Sequence, residues 1–303
     1  MTQQTSISNR AWAELLLLAV IWGGVFLAVT VALSEVGVFT MVALRVIGGT
    51  VVLWGYILAR GLNVPKSLKI WVAFLVMGLL NNVIPFSLIA WGQLRIESGL
   101  SAIINGSTAI FGVLVAAAVF SDERLTPNRL VGVSFGFLGL AVAIGFTALR
   151  SFDLTSLAQL AVIGASVSYA FAGAWARKQL KGLAPQVASA GMTGFSALIL
   201  GILALFVDGI PTFDYTLPVD AALFYMAVIG TAMAYLLYYR VLATAGSGNL
   251  MLVTLLISPV AIILGAVVLG EALQPRAFFG FAILAVGMLI LDGRVLKYFK
   301  RSD

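Results

Sequence analysis

Residues 123–132 read E-R-L-T-P-N-R-L-V-G, and residues 271–280 read E-A-L-Q-P-R-A-F-F-G. Glu, Leu, Pro and Gly coincide in the two phrases, 148 residues apart. Gly139 with Gly287 and Ala118 with Ala266 extend the match. A phrase written twice at a long interval marks a repeated building unit, and the nature of the unit depends on the solvent around it. Of 303 residues, 61% are hydrophobic and 10% are charged, against about 25% charged in ordinary soluble domains. So few charges cannot cover so much apolar surface in water, and the chain reads as an integral membrane protein.

Apolar windows long enough to cross a hydrocarbon core recur near 11–33, 38–59, 69–91, 98–120, 127–147, 154–176, 185–207, 219–242, 248–270 and 275–296. They are continuously apolar, without the period-2 alternation of barrel strands, and so predict an all-α fold of ten transmembrane helices. The first window exceeds a secretory h-region, so the polar start MTQQTSISNR is expected to be retained. The chain has no cysteine and no histidine. Disulfides, thiolate chemistry and imidazole catalysis are excluded, and neither a metal site nor a cofactor is implied. The spans also lack a central carboxylate pair, so an intramembrane enzyme is not expected.

The cations set the orientation. With the N-terminus in the cytoplasm, the inner side carries Arg10, Arg60, Lys66, Lys69, Arg124, Arg129, Arg177, Lys178, Lys181, Arg240, Arg294, Lys297, Lys300 and Arg301. The outer side carries only Arg95, Arg150 and Arg276. This is a strong positive-inside bias, and it predicts a bacterial-type inner membrane protein with both termini cytoplasmic. The basic balance reflects topology, so nucleic acid is not an expected partner. The first phrase then falls at an inner junction and its copy at an outer one. The offset contains five spans, an odd number, so the second half enters the membrane upside down. Residues 1–150 and 151–303 are therefore expected to form two inverted five-helix repeats around a central cavity, the architecture of alternating-access carriers.

Trp22-Gly23 in the first span, Ala43-Leu44-Arg45 in the second, Pro259 in the ninth and the paired E-x-L-x-P-x-x-x-x-G phrases together resemble the EamA-type drug/metabolite transporter superfamily. Within it, the size and the aromatics of the spans are most similar to the YddG-type aromatic amino acid exporters of bacterial inner membranes. The resemblance implies ten helices, a central cavity and export by alternating access. It also leaves open a nucleotide-sugar or sugar-phosphate carrier, or a proton-coupled drug efflux protein, of the same superfamily.

Candidate substrate contacts follow from polar and aromatic groups at membrane depth. Trp22 lies at a predicted midpoint, where it reads either as a cavity aromatic or as plain helix packing. Asn81 and Asn82 are adjacent amides pointing about 100° apart on a helix, so one can face a cavity while the other bonds a neighbour. Pro85 removes a backbone donor and disturbs the carbonyl of Asn81; Pro259 does the same to Leu255. Both prolines read as kinks or gating elements, with Phe86 beside the first and Ser258 beside the second. Tyr235, Tyr238 and Tyr239 share one face of the eighth span, Tyr235 the deepest and Tyr239 at either a gate or a belt. Ser166 and Tyr169 share a side of the sixth. Arg45 is either an anion contact or a residue snorkelling to the outer headgroups. Glu14 and Asp292, near the inner ends, are expected to be solvated. Aromatics and amides without a cation cluster suit a small zwitterionic or aromatic solute better than a phosphate. The expected partners are that solute and the lipid bilayer.

Overall fold

The computed structural model describes residues 9–123, 125–145, 154–241 and 252–292. Arg124, Arg150, Arg294, Lys297, Lys300 and Arg301, on which part of the charge bias rests, lie outside the described residues, as does the side chain of Asp292. In chain order the helices are α1 (Asn9–Ala32), α2 (Val38–Arg60), α3 (Leu68–Gly92), α4 (Ser98–Val119), α5 (Pro127–Ile144), α6 (Leu154–Gln179), α7 (Pro185–Val207), α8 (Leu217–Val241), α9 (252–269) and α10 (Pro275–Asp292). Eight of these, α1 to α8, are long and apolar enough to cross a membrane; the apolar segments Leu256–Leu269 and Pro275–Leu291 are shorter.

Local chemistry explains the helix ends. Thr126 accepts a hydrogen bond from the Arg129 N–H and Pro127 opens α5, where a missing backbone donor costs nothing. Pro275 opens α10 in the same way. Gly61, at φ 58°, ends α2 in the left-handed conformation that a side chain would disfavour.

Three helices depart from regular α geometry. Residues Leu79–Val83 of α3, Tyr225–Met233 of α8 and Gly265–Leu269 of α9 form wider i→i+5 turns. The α3 turn ends just before Pro85, which has no N–H to give. The Ser168 hydroxyl of α6 donates to the Leu80 carbonyl at 2.7 Å, so this irregular backbone is satisfied by protein at membrane depth. Helix α4 is interrupted between Asn105 and Thr108.

The packing follows a pattern. α5 runs along α10 and α2 along α7, while α4 meets α9. α1 packs on α9 and α6 on α4; α3 packs on α6 and α8 on α1; α2 packs on α8 and α7 on α3. These pairs exchange among themselves when the first five helices are swapped for the second five, whereas the contacts of α1 with α4, α2 with α3 and α4 with α5 have no counterpart of like extent among the described residues. Glycines bring α5 and α10 close: a Cβ at Gly139 would lie 2.6 Å from the Gly280 carbonyl oxygen, and one at Gly280 would lie 2.6 Å from Ala143 Cα. Large apolar side chains such as Leu17, Val51, Leu58 and Phe206 are exposed on the outside of the bundle, where lipid is their natural solvent.

Candidate functional site

A cavity of about 450 Å³ lies between the two halves, with walls from α1, α2, α3, α4, α6, α7, α8 and α9. The i→i+5 turn of α3 positions its most polar wall. Asn81 lines the cavity, and its Nδ2 donates to the Tyr235 hydroxyl at 3.0 Å. That hydroxyl donates to Asn82 Oδ1 at 2.9 Å. Asn82 is fully buried and turns away, giving its own Nδ2 to Ser196 Oγ at 3.0 Å. The Ser196 hydroxyl in turn donates to the Met192 carbonyl at 2.7 Å. The adjacent amides thus divide the work: Asn81 faces the space and Asn82 ties α3 to α7.

Arg45 has turned inward. It is 8% exposed; its Nε donates to Thr231 Oγ1 at 3.0 Å, and its guanidinium carbon lies 3.8 Å from the Phe86 ring centre. Among the described residues it makes no ion pair. No carboxylate lines the cavity among the described residues. Thr231 in turn donates to the Met226 carbonyl five residues back, so the wider turn of α8 leaves its oxygen aimed at Arg45. Gly49 makes room for this, since a Cβ there would lie 2.7 Å from Thr231 Cγ2.

Aromatic rings form another wall. Trp22 meets Tyr238 at 5.7 Å between ring centres, and Tyr238 meets Tyr239 edge-on at 5.1 Å. These three line the cavity with Tyr169 and Phe86. The Trp22 indole N–H makes no hydrogen bond among the described residues, which leaves a donor over an apolar surface. The two ends of the cavity differ. Met41 and Val42 are essentially without exposure, whereas Gly173 is exposed and Ala176 and Tyr239 are half-buried near the ends of α6 and α8.

Several candidates sit elsewhere. Ser166 spends its hydroxyl on backbone carbonyls, Val162 at 3.2 Å and Ile104 at 3.4 Å, and Ser258 donates to Ala102 at 3.1 Å. Both are buried in helix contacts, as short hydroxyls in apolar helices commonly are. Pro85 is buried beside the widened turn and Pro259 lies inside α9, neither on the cavity wall. Glu14 is buried rather than solvated, held by Arg10 at 3.2 Å and by Arg240.

The wall also holds groups that the sequence pattern did not point to. Gln93 at the end of α3 and Asn105 at the break in α4 both face the cavity, each with an unbonded amide oxygen. The available signal was the spacing of Phe86, Ile89 and Gln93 on one helical face.

Comparison with known proteins places these observations in context. The model of the EamA-like transporter family matches this chain twice, at residues 11–145 and 156–291. A probable terminal-alkyne amino-acid exporter of Streptantibioticus cattleyicolor is 25% identical over 290 residues, covering 96% of this chain and 95% of its own. An uncharacterized transporter of Archaeoglobus fulgidus is 22% identical, with 93% and 98% covered. A solved crystal structure superposes with a TM-score of 0.64 over 93% of this chain and 97% of its own, at 18% identity, a likeness of fold.

Proposed function

This chain belongs to the EamA-like transporter family, and on that premise we propose that it exports amino acids, aromatic ones and other small zwitterionic metabolites, by alternating access. It is a multi-pass membrane transporter and not an enzyme. The two family matches, with the main helix pairs that exchange between the halves, support a division into repeats at residues 1–150 and 151–303. Together with the cation bias, they favour ten spans, inverted halves and cytoplasmic termini in an inner membrane.

The substrate reading is carried by Arg45. A guanidinium taken out of water without a carboxylate is costly, and a carboxylate-bearing solute in the cavity would offset that cost. Trp22, Tyr169, Tyr235, Tyr238 and Phe86 offer faces to a side chain, and Asn81 offers an amide. One relative bears a name that includes amino-acid export, in keeping with this reading. A nucleotide-sugar or sugar-phosphate carrier is less favoured, because Arg45 is the single cation on the described wall and a phosphate would call for more. Proton coupling is not favoured either: Glu14 is committed to two arginines at the end of the bundle. The more exposed end of the cavity is the one the cation bias assigns to the cytoplasm, so the described state is read as receiving solute from that side. Pro85, beside the widened turn of α3, and Pro259, inside α9, are proposed to let the halves reorient.

The test is uptake of radiolabelled amino acids and a sugar phosphate into liposomes holding the purified protein, with and without a proton gradient. Saturable, gradient-independent uptake of amino acids is expected. Arg45→Ala should lower it at least about 30-fold, the scale of an uncompensated buried charge contact. Arg45→Lys should recover only part, since an ammonium lacks the planar fork and the stacking on Phe86. Trp22→Ala and Asn82→Ala should also reduce flux in protein that still inserts. Undiminished uptake by Arg45→Ala, or uptake of the sugar phosphate alone, would overturn this reading.

A further inference from the structure

We infer that the amide oxygen of Gln93, assisted by that of Asn105, is the ammonium-accepting pole of the substrate site, set opposite Arg45, so that the site selects zwitterions over simple carboxylates and over amines. This rests on the proposal that Arg45 receives a substrate carboxylate, and it deepens that proposal.

Gln93 is 6% exposed and lines the cavity. Its Nε2 donates to the Phe26 carbonyl at 2.8 Å and to Thr30 Oγ1 at 2.8 Å. A carbonyl can only accept, so the amide nitrogen must face Phe26 and the orientation of the group is fixed. Both donor hydrogens are thereby used, and Oε1 is left buried with no partner. A buried acceptor without a partner costs free energy, and natural structures retain few of them. Asn105 Oδ1, at the break in α4, is a second unpartnered acceptor, on a residue that lines the same cavity. Two orphaned acceptors in a cavity that lacks carboxylates call for a donor that carries several hydrogens. A primary ammonium supplies three.

The placement suits an α-amino acid. Phe86, Ile89 and Gln93 form one stripe along α3, all on the cavity wall. The guanidinium of Arg45 lies over the Phe86 ring, and seven residues of helix put Gln93 about 10 Å further along that stripe. That span is filled by an arginine–carboxylate contact, one α-carbon and one ammonium hydrogen bond of about 2.9 Å. The ammonium would approach neutral carbonyl oxygens rather than a carboxylate. A lone cation, without the Arg45 contact, therefore gains too little to leave water. A simple carboxylate leaves both oxygens unpaired. Only a solute with both charges satisfies both poles.

The experiment compares tritiated phenylalanine, 3-phenylpropionate and phenethylamine in liposomes holding the full chain. These share a ring and differ in their charged groups. Wild type is expected to prefer phenylalanine over 3-phenylpropionate and to ignore phenethylamine. Gln93→Met, close in shape and without an acceptor, should cut the preference for phenylalanine about 10- to 100-fold, the worth of one hydrogen bond to a charged group. Its 3-phenylpropionate uptake should stay level or rise. Asn105→Ala, which leaves the tie to α1 untouched, should move the same ratio in the same direction. Thr30→Val loosens the Gln93 tether but keeps the acceptor, so its ratio should stay at the wild-type value. Equal losses for both acids in Gln93→Met and Asn105→Ala would reduce these residues to structural ties and overturn the inference. If wild type moves neither acid, the amino-acid reading itself falls, and this inference falls with it.

Discussion

The two ends of the bundle hold their carboxylates in different ways. At the end assigned to the outside, Glu271 accepts from the Ser98 N–H at 2.9 Å, the Ser98 hydroxyl at 2.8 Å and the Gly99 N–H at 3.3 Å. Asp208 accepts from the Thr40 N–H at 2.7 Å, and Glu35 from the Thr216 N–H and hydroxyl at 2.8 and 2.6 Å. Each of these reaches from one half of the chain to the first turn or the cap of a helix in the other, where unpaired donors and the helix dipole favour an anion. At the opposite end, Glu123 pairs with Arg129 at 2.8 Å and Arg177 at 3.2 Å, Asp122 with Arg177 at 2.5 Å, and Glu14 with Arg240. One end is latched onto backbone, the other bridged by long side chains. Backbone latches fix distance, whereas arginine bridges can follow a moving helix. This agrees with a cavity whose walls are buried towards the latched end and half-exposed towards the bridged one. The two copies of the E-x-L-x-P phrase are the sharpest case: Glu271 caps α4, and its counterpart Glu123 sits in a cluster of arginines.

The contrast breaks first, and hardest, at the glycines of the same phrases. A methyl at Gly280 would strike Ala143 through its backbone N and Cα, so α5 and α10 would have to part. At Gly132 the nearest atom is Leu291 Cγ at 2.7 Å, part of a side chain rather than backbone, before the Gly287 carbonyl oxygen at 2.9 Å. Gly280→Ala should therefore destabilise by about 3 kcal/mol and Gly132→Ala by about 1–2 kcal/mol, the upper and middle range for overpacking. Thermal unfolding in detergent would rank them. Equal losses would mean that the two crossings are equally rigid.

The glutamates sharpen the comparison at a smaller scale. Glu271→Ala removes three charge-assisted bonds, two of them to otherwise unpaired helix donors, and should cost about 2 kcal/mol. Glu123→Ala loses ion pairs whose partners are 34% and 46% exposed, and such pairs contribute less than about 1 kcal/mol. The same melting experiment reads both. A Glu123 loss as large as that of Glu271 would erase the distinction between latch and bridge.

Much of this was legible in sequence because the signals are long. Hydropathy over some twenty residues places α1 to α8, and the repeated phrase announces two related halves. The lining of the candidate site was legible in residue type and depth. Trp22, Arg45, Asn81, Phe86, Tyr169, Tyr235 and Tyr239 face one cavity. What sequence does not carry is the rotation of each helix about its axis. Ser166 and Ser258 have the right depth but turn into helix contacts. Asn82 is rotated away from Asn81 within a turn that an i→i+5 geometry widens. Gln93 escaped for another reason: it follows Trp91 at the edge of a predicted span, where headgroups are the default neighbours. Only the tertiary fold shows that α1 covers it.

The smallest predicted effect tests whether a fully exposed latch behaves as one. Two bonds from Thr216, the hydroxyl first and the backbone N–H second, hold the Glu35 carboxyl below its ordinary value of 4.5. Protonation would remove the charge that both donors favour. A carboxyl whose folded value is depressed adds stability that is complete above its unfolded value and is lost as pH falls through the folded one. The melting temperature of wild type relative to Glu35→Gln should therefore be constant above pH 4.5 and should shrink as the pH is lowered further. Salt should weaken the difference, because the pair is in solvent. A difference that stays flat into acid would mean that Thr216 holds the neutral amide as well as the carboxylate. The latch would then work by hydrogen bonding alone, and charge would matter only where Glu271 and Asp208 meet the helix ends.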